Sequence, residues 1–298
     1  MPELAEVEAV RLQIESHLQK LRIREVETDV DDRIFFQFTS AKKFQAALTG
    51  ARIVGTGRRG KYFWLELNRK PWPVFHLGMS GNIAFLDPRS NQKDGTKVQG
   101  HQKIWGGAKL WSAKDEDLRE QLAFCRLLLR LDKGLEMAFI DPRRFGRVWL
   151  TDDVAEFPRI KKLGFDPLID FLSVAQLSER LAKRKKAIKS VLLDQSLFAG
   201  IGNWLADEIL FQAKINPHRL ASVLTPPQLK QLHKQVLNVT KKAVAVKADY
   251  ERFPKTWLFH DRWGKGKGAE KSKAALKRNI QFDEIGGRTT AWIPKVQK

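Results

Sequence analysis

The chain has a single cysteine, Cys125, in 298 residues. One thiol can build neither a disulfide framework nor a thiolate metal cage, and its scarcity is compatible with a reducing compartment. The six histidines, His17, His76, His101, His218, His233 and His260, are scattered without metal-ligand spacing. They read as ordinary surface or core residues, and neither a metal nor any other cofactor is expected. No apolar run is long enough to span a bilayer, and no signal-peptide pattern stands at the start, so neither membrane insertion nor export is expected. Acidic residues are also in short supply: 34 Asp+Glu face 54 Lys+Arg, a formal net charge of +20. An excess of that size points to a polyanionic partner, nucleic acid first. With 43% hydrophobic residues, the chain is long enough for two domains with a core in each.

The first eight residues, Met1-Pro2-Glu3-Leu4-Ala5-Glu6-Val7-Glu8, carry the most chemistry. Removal of Met1 leaves Pro2 with a free secondary amine. An α-amino group titrates near 7.7–8.0, about two units below a lysine, so a useful fraction is nucleophilic at neutral pH. Attack by that amine on an aldehyde-like carbon gives a charged iminium, an electron sink. Glu3 is placed to serve as general acid and base, provided burial or neighbours raise its pKa. The plainer reading is a Met-Pro start followed by glutamates that suit the positive end of a helix dipole.

Residues 3–20 read as an amphipathic helix, with Leu4, Val7, Val10, Ile14 and Leu18 at a period of three to four. Strand signals follow over 22–30, 51–55 and 61–68, and Arg58-Arg59-Gly60-Lys61 before the last is a candidate phosphate contact. An apolar strand then stops at Gly78-Met79-Ser80-Gly81. A methionine at such a loop tip is exposed and suits a wedge between base steps, although a methionine folded back on the core is the more common outcome. Residues 87–121 are polar and turn-rich and read as an insertion, partly ordered at best. Strands resume over 124–131 and 135–140. Between them and a strand over 147–150 lies Asp141-Pro142-Arg143-Arg144-Phe145-Gly146, where arginine can bond an orphaned base edge and the ring can stack.

Residues 151–170 look like a connector. Helical periodicity begins at Val174. Gly200-Ile201-Gly202-Asn203 falls between two helical stretches; its glycines allow close backbone approach, and Asn203 is a candidate cap where helix-start amides bind phosphate. Thr225-Pro226 opens a further helix to about Ala248. The tail carries a basic cluster over 265–278 and two strands, 279–285 and 289–294, whose turn places Arg288 at a hairpin tip within reach of a phosphate.

Taken together, PELAEVE, GRRGKY, HLGMSG, DPRRFG, FAGIGNWLADEILFQAKINPHR and GGRTTAWIP occur in one order. That order resembles the formamidopyrimidine-DNA glycosylase and endonuclease VIII-like base-excision-repair enzymes over nearly the whole chain apart from 87–121. The resemblance implies an α+β fold: an N-terminal β-sandwich with flanking helices over 1–150, a helix-two-turns-helix domain over 151–250, and a C-terminal β-hairpin over 251–298, with DNA in the cleft between the first two. It implies Pro2 as nucleophile at C1′ of the damaged nucleotide, Glu3 as essential acid/base and Glu6 as a supporting carboxylate in the lesion pocket. It implies that Lys61 contacts a phosphate, that Met79, Arg143 and Phe145 fill the gap left by a flipped base, and that Lys189, Gly202, Asn203 and Arg288 grip the backbone.

Ala5 stands where the family usually has a second proline. Ile293 and Val296 stand where most members have the last pair of four zinc-binding cysteines, so the tail resembles the zincless-finger, plant-type members. The segment 249–263 is shorter than the loop that covers 8-oxoguanine in typical bacterial members, which weakens the case for that lesion. The expected protein is a monomeric bifunctional glycosylase and abasic-site lyase acting on damaged duplex DNA, removing formamidopyrimidines and cutting by β,δ-elimination. Such a protein would work in the cytoplasm or nucleoid of a bacterium or the nucleus of a eukaryote. The alternatives are excision of oxidised pyrimidines, a damaged-DNA-binding protein without catalysis, and an RNA- or ribosome-associated basic protein.

Overall fold

The computed structural model describes residues 2–28, 35–86, 109–111, 123–262 and 279–298. The chain divides into two compact units, residues 1–161 with 247–250, and residues 162–246 with 251–298.

The first unit opens with helix α1, Leu4–Leu18, whose Leu4, Val7, Val10, Ile14 and Leu18 are all buried, as their spacing requires. Strand β1 is Ile23–Thr28; residues 29 and 30 of the expected strand lie outside the described residues. A helix the sequence reading left unassigned, α2 (Ala41–Leu48), starts where Ser40 Oγ accepts the Lys43 amide at 3.2 Å. Strands β2 (Ile53–Arg59), β3 (Tyr62–Leu67), β4 (Trp72–His76), β5 (Asn82–Leu86), β6 (Lys109–Trp111), β7 (Cys125–Leu131), β8 (Glu136–Ile140) and β9 (Arg147–Thr151) follow.

Strand β2 runs past the expected end at Gly55. Gly57 sits under the Trp64 ring, where a Cβ would come within 2.1 Å of it. A glycine inside the strand thus marks the place where a neighbour's ring crosses the backbone. Within the stretch read as an insertion on the sheet, partly ordered at best, strand β6 pairs in parallel with β5. The rest of that segment lies outside the described residues.

These strands form two sheets, an antiparallel one in the order β2-β3-β4-β9 and a five-stranded one in the order β1-β7-β8-β5-β6. Phe63, Leu65, Phe75 and Val148 of the first share one core with Ile23, Phe85, Leu129 and Phe139 of the second, and α1 and α2 add Val10, Ile14 and Phe44. This is the expected β-sandwich with flanking helices. The short helix α3 (Pro158–Lys161) closes the unit. Val154, Phe157 and Ile160 bury against Val74 and Trp149 on the outer face of β4 and β9. For that reason the compact unit continues to residue 161 rather than stopping at 150.

The second unit contains α4 (Val174–Ala182), α5 (Ile188–Leu192), α6 (Asn203–Ala213), α7 (Pro226–Ala245) and the hairpin β10 (Gln281–Ile285) and β11 (Arg288–Trp292). Ser173 and Thr225 begin α4 and α7 with capping boxes, and Pro226 occupies the first turn of α7. Helix α6 is buried nearly all round, including Asp207 and Glu208. By contact, residues 251–298 group with the helices and not apart from them. Gln297 bonds the Ile293 amide and the Ile215 carbonyl, and Asp283 accepts from Trp292 at 2.7 Å and meets His218 Nε2 at 2.7 Å. The basic cluster over 265–278 lies outside the described residues.

Asp207 organises this unit. Its carboxylate is fully buried between Lys189 and Arg262, with Arg262 at 2.7 Å, and also accepts the Ala291 amide at 3.4 Å. One anion therefore joins α5, α6, the residue-262 turn and β11. Removing it leaves two buried cations without their counter-ion. Asp207→Ala is expected to lower the stability of this unit by about 3–5 kcal/mol, measured by urea unfolding.

Candidate active site

Within the first unit the amino terminus is fixed by its own carboxylates. Glu3 caps α1: its side chain accepts the Glu6 amide, while Glu6 Oε2 accepts the Glu3 amide at 2.9 Å. Glu6 Oε1 accepts the Tyr250 hydroxyl at 2.8 Å. Glu3 and Glu6 are both buried, whereas Pro2 is half-exposed. The residue proposed to react thus reaches solvent from a turn whose acids are held inside. Burial, helped by the charge of Glu3, raises the Glu6 pKa from 4.5 to about 7, against the hydrogen bonds from Tyr250 and the backbone. Tyr250 was not legible as a partner in the sequence, because it lies 244 residues away and between two helical signals.

Of the basic run before β3, Arg58 is corrected from phosphate contact to support. It is buried, its Nε bonds Glu8 Oε2 at 2.8 Å, and its Nη1 bonds the Gly60 carbonyl at 3.0 Å. It therefore braces the turn that presents the partly exposed Lys61. His76, across the sheet from Tyr62, accepts the Gly78 amide on Nδ1 at 3.1 Å. Burial first, then the charges of Lys61, Arg159 and Arg147, lower its pKa to about 4, so it is neutral at physiological pH.

Met79, Arg143 and Phe145 are brought to neighbouring loops by Asp141, which the sequence reading did not single out. Its buried carboxylate accepts Ser80 Oγ at 2.6 Å, the Arg143 amide at 3.3 Å and the Gly146 amide at 2.5 Å. Gly78 is left-handed at φ +64°, and a Cβ there would meet the Phe145 backbone at 2.4 Å. The Arg143 guanidinium lies 5.1 Å from the Phe145 ring centre, and Phe145 is 43% exposed. Met79 is half-buried rather than the exposed tip expected, because Ser80 and Gly78 draw its loop onto the 141–146 loop. An aspartate opening a Pro-Arg-Arg turn was the available signal.

In the second unit Asn203 is the first residue of α6, not its cap; Gly202 holds that place. Asn203 Nδ2 donates to the Thr289 carbonyl at 2.9 Å, which ties the helix start to the hairpin. Gly286 and Gly287, at φ +61° and +70°, make the two-residue turn that leaves Arg288 exposed. Lys189 departs from the expectation of a backbone grip. Its amine is fully buried on Asp207 and donates to the Asn203 carbonyl at 3.2 Å. It steadies the start of α6 from beneath.

Comparison with known proteins agrees with this arrangement. The formamidopyrimidine-DNA glycosylase N-terminal domain family matches residues 1–148, and the formamidopyrimidine-DNA glycosylase H2TH domain family matches residues 163–254. The two units are thus of the kind that makes up DNA glycosylases of base-excision repair. A formamidopyrimidine-DNA glycosylase of Arabidopsis thaliana is 38% identical, covering 100% of this chain and 71% of that protein. One from Rhodopseudomonas palustris is 31% identical over 100% of both. The Lactococcus lactis enzyme non-covalently bound to DNA containing an abasic site superposes with a TM-score of 0.75 at 25% identity, covering 99% of each chain. The chain belongs to the formamidopyrimidine-DNA glycosylase family. Among the described residues, no helix is long and apolar enough to cross a membrane.

The raised Glu6 pKa has a stability consequence. The folded chain binds a proton more tightly than the unfolded one, so this contribution is full below about pH 4.5 and declines as pH rises toward 7. Glu208, also raised to about 7 by burial, adds a decline of the same sign that a change at residue 6 leaves in place. Glu6→Gln is therefore expected to lose less Tm between pH 5 and pH 8 than the unaltered protein, measured by thermal unfolding at both.

Proposed function

We propose that the protein excises oxidised bases, formamidopyrimidines first, and cuts the resulting strand through a covalent intermediate on Pro2. The observation that carries this reading is the amino terminus: a half-buried proline immediately before the cap of a buried helix, followed by two buried carboxylates, Glu3 and Glu6. With Met1 removed, the Pro2 nitrogen attacks C1′ as the base leaves, and Glu3 manages the protons. The iminium acidifies the C2′ hydrogens, so the 3′ phosphate is eliminated and then the 5′ phosphate. Lys61, Asn203 and Arg288 contact phosphates of a duplex bent around an extruded nucleotide, with Gly202 allowing close approach. Lys189 acts through Asn203. Met79, Arg143 and Phe145 occupy the space the base vacates, and unpairing costs less at a lesion. The tail serves as a zincless hairpin, and the protein works as a monomer where the genome lies, a nucleoid or a nucleus.

Excision of oxidised pyrimidines is the second reading, and the 249–263 segment favours it. Phe253 packs its ring against Trp257 at 4.9 Å, Phe259 at 4.9 Å and Trp204 at 5.4 Å. Aromatic packing of that kind commits Phe253, Trp257 and Phe259 to the core of the second unit instead of to a lesion-covering loop.

Borohydride reduction in the presence of duplex DNA carrying a formamidopyrimidine is expected to trap a protein–DNA adduct at residue 2. Acetylation of the terminal amine is expected to abolish it, as read by mass spectrometry; an adduct that survives capping overturns the mechanism. Excision rates on duplexes carrying formamidopyrimidine, 8-oxoguanine or an oxidised pyrimidine separate the two lesion readings.

A further inference from the structure

Across β3, β4 and β9 one row of residues stands in register: Tyr62 opposite His76, and His76 opposite Arg147. Lys61 immediately precedes the first of them. From α3, Arg159 joins this row. Its guanidinium lies 5.2 Å from the Trp149 ring centre, its Nη2 donates to Gln37 Oε1 at 3.0 Å, and its charge acts on the Tyr62 phenol. The Tyr62 ring packs at 4.8 Å on His76 and at 5.9 Å on Trp149.

Arg159 is thus held in a definite orientation by an amide and an indole, both neutral. Among the described residues no carboxylate pairs with it, so its full charge stays available. A guanidinium has five N–H donors in a planar fork, and these contacts leave several unused. An ordinary exposed arginine escapes like-charge repulsion by moving into solvent. This one is stacked and bonded near other cations, since the charges of Lys61, Arg147 and Arg159 all reach the His76 ring. Fixed cations grouped around a neutral histidine suit a ligand with repeated negative charge, and a planar fork suits the paired oxygens of a phosphodiester.

We propose that Arg159 binds a second backbone phosphate of the DNA, apart from the one assigned to Lys61, so that the β3–β4–β9 row with α3 forms a shelf for two phosphates. The proposal rests on the DNA-processing reading above. It concerns positioning and not base identity, because phosphate contacts carry no sequence information.

The test is the salt dependence of binding. Affinity is measured from low to physiological salt for a duplex holding a tetrahydrofuran abasic-site analogue and for the same duplex undamaged. Each neutralised phosphate contributes about 0.9 to the slope of log K against log salt. Arg159→Gln is expected to reduce the slope by about 1 on both duplexes, and Arg159→Lys to keep it. An unchanged slope in Arg159→Gln overturns the proposal, even where Tm falls, because Arg159 then only braces Trp149 and Tyr62. Loss of slope as complete in Arg159→Lys as in Arg159→Gln overturns it too, since charge is then not the cause. If the unaltered protein itself shows no salt-dependent DNA binding, the DNA reading falls and this inference with it, a result distinct from a normal slope that Arg159→Gln leaves untouched.

Discussion

The reciprocal hydrogen bonds between Glu3 and Glu6 are the constraint from which the rest of the site follows. They satisfy amides that a helix start leaves open, and they do so with carboxylates taken out of water. Burying an acid is costly unless it is hydrogen-bonded or neutralised. Here both happen: Tyr250 and the backbone supply bonds, and burial shifts Glu6 to a pKa of about 7. The helix carrying the pair is anchored by Val7, Val10, Ile14 and Leu18 in the sandwich core. Residue 2 therefore inherits the rigidity of the core, although terminal residues of a chain are ordinarily among its least ordered.

The same arrangement recurs wherever site residues reach the surface. Glu8 holds Arg58, which holds the turn before Lys61; Asp141 holds the loops of Met79 and Phe145; Asp207 holds Lys189 beneath Asn203. In a chain with 20 more basic than acidic side chains, these acids are spent inside as anchors. The exposed surface is left to cations such as Arg143 in the first unit and Arg288 in the second. Fixed donors inside and unscreened positive charge outside are what a polyanionic ligand needs.

Much of this was legible in the sequence, for stated reasons. Helix α1 follows from the period of its five apolar residues, α7 from Thr225-Pro226, and the hairpin from Gly286-Gly287 between two strand runs. What could not be read are relations across long separations. Tyr250 meets Glu6, and residues 154–160 cover β4 and β9, and neither fact leaves a local trace. Composition also misled where one residue type serves two ends. Arg58 reads as a phosphate ligand from its basic run and Lys189 from the family resemblance, yet Arg58 is buried on Glu8 and Lys189 on Asp207, whereas Lys61 is partly exposed. The strand expected to end at Gly55 runs on through Gly57, whose missing side chain makes room for the Trp64 ring.

The carboxylate pair also divides the chemical labour under the mechanism proposed. Two acids at the start of one helix cannot both carry charge in a buried site without mutual cost, and the environment that pushes one of them toward holding its proton decides which stays free to act. Glu6 is the one whose hold on its proton burial strengthens, to a pKa of about 7: it is the deeper of the two, and its partners are a phenol and a backbone amide. Glu6 Oε2 also fixes the backbone of Glu3, the residue next to Pro2 in the chain. Were Glu6 fully charged, its repulsion would fall on Glu3 and its attraction on a protonated proline nitrogen; the more tightly it keeps its proton, the weaker both effects become.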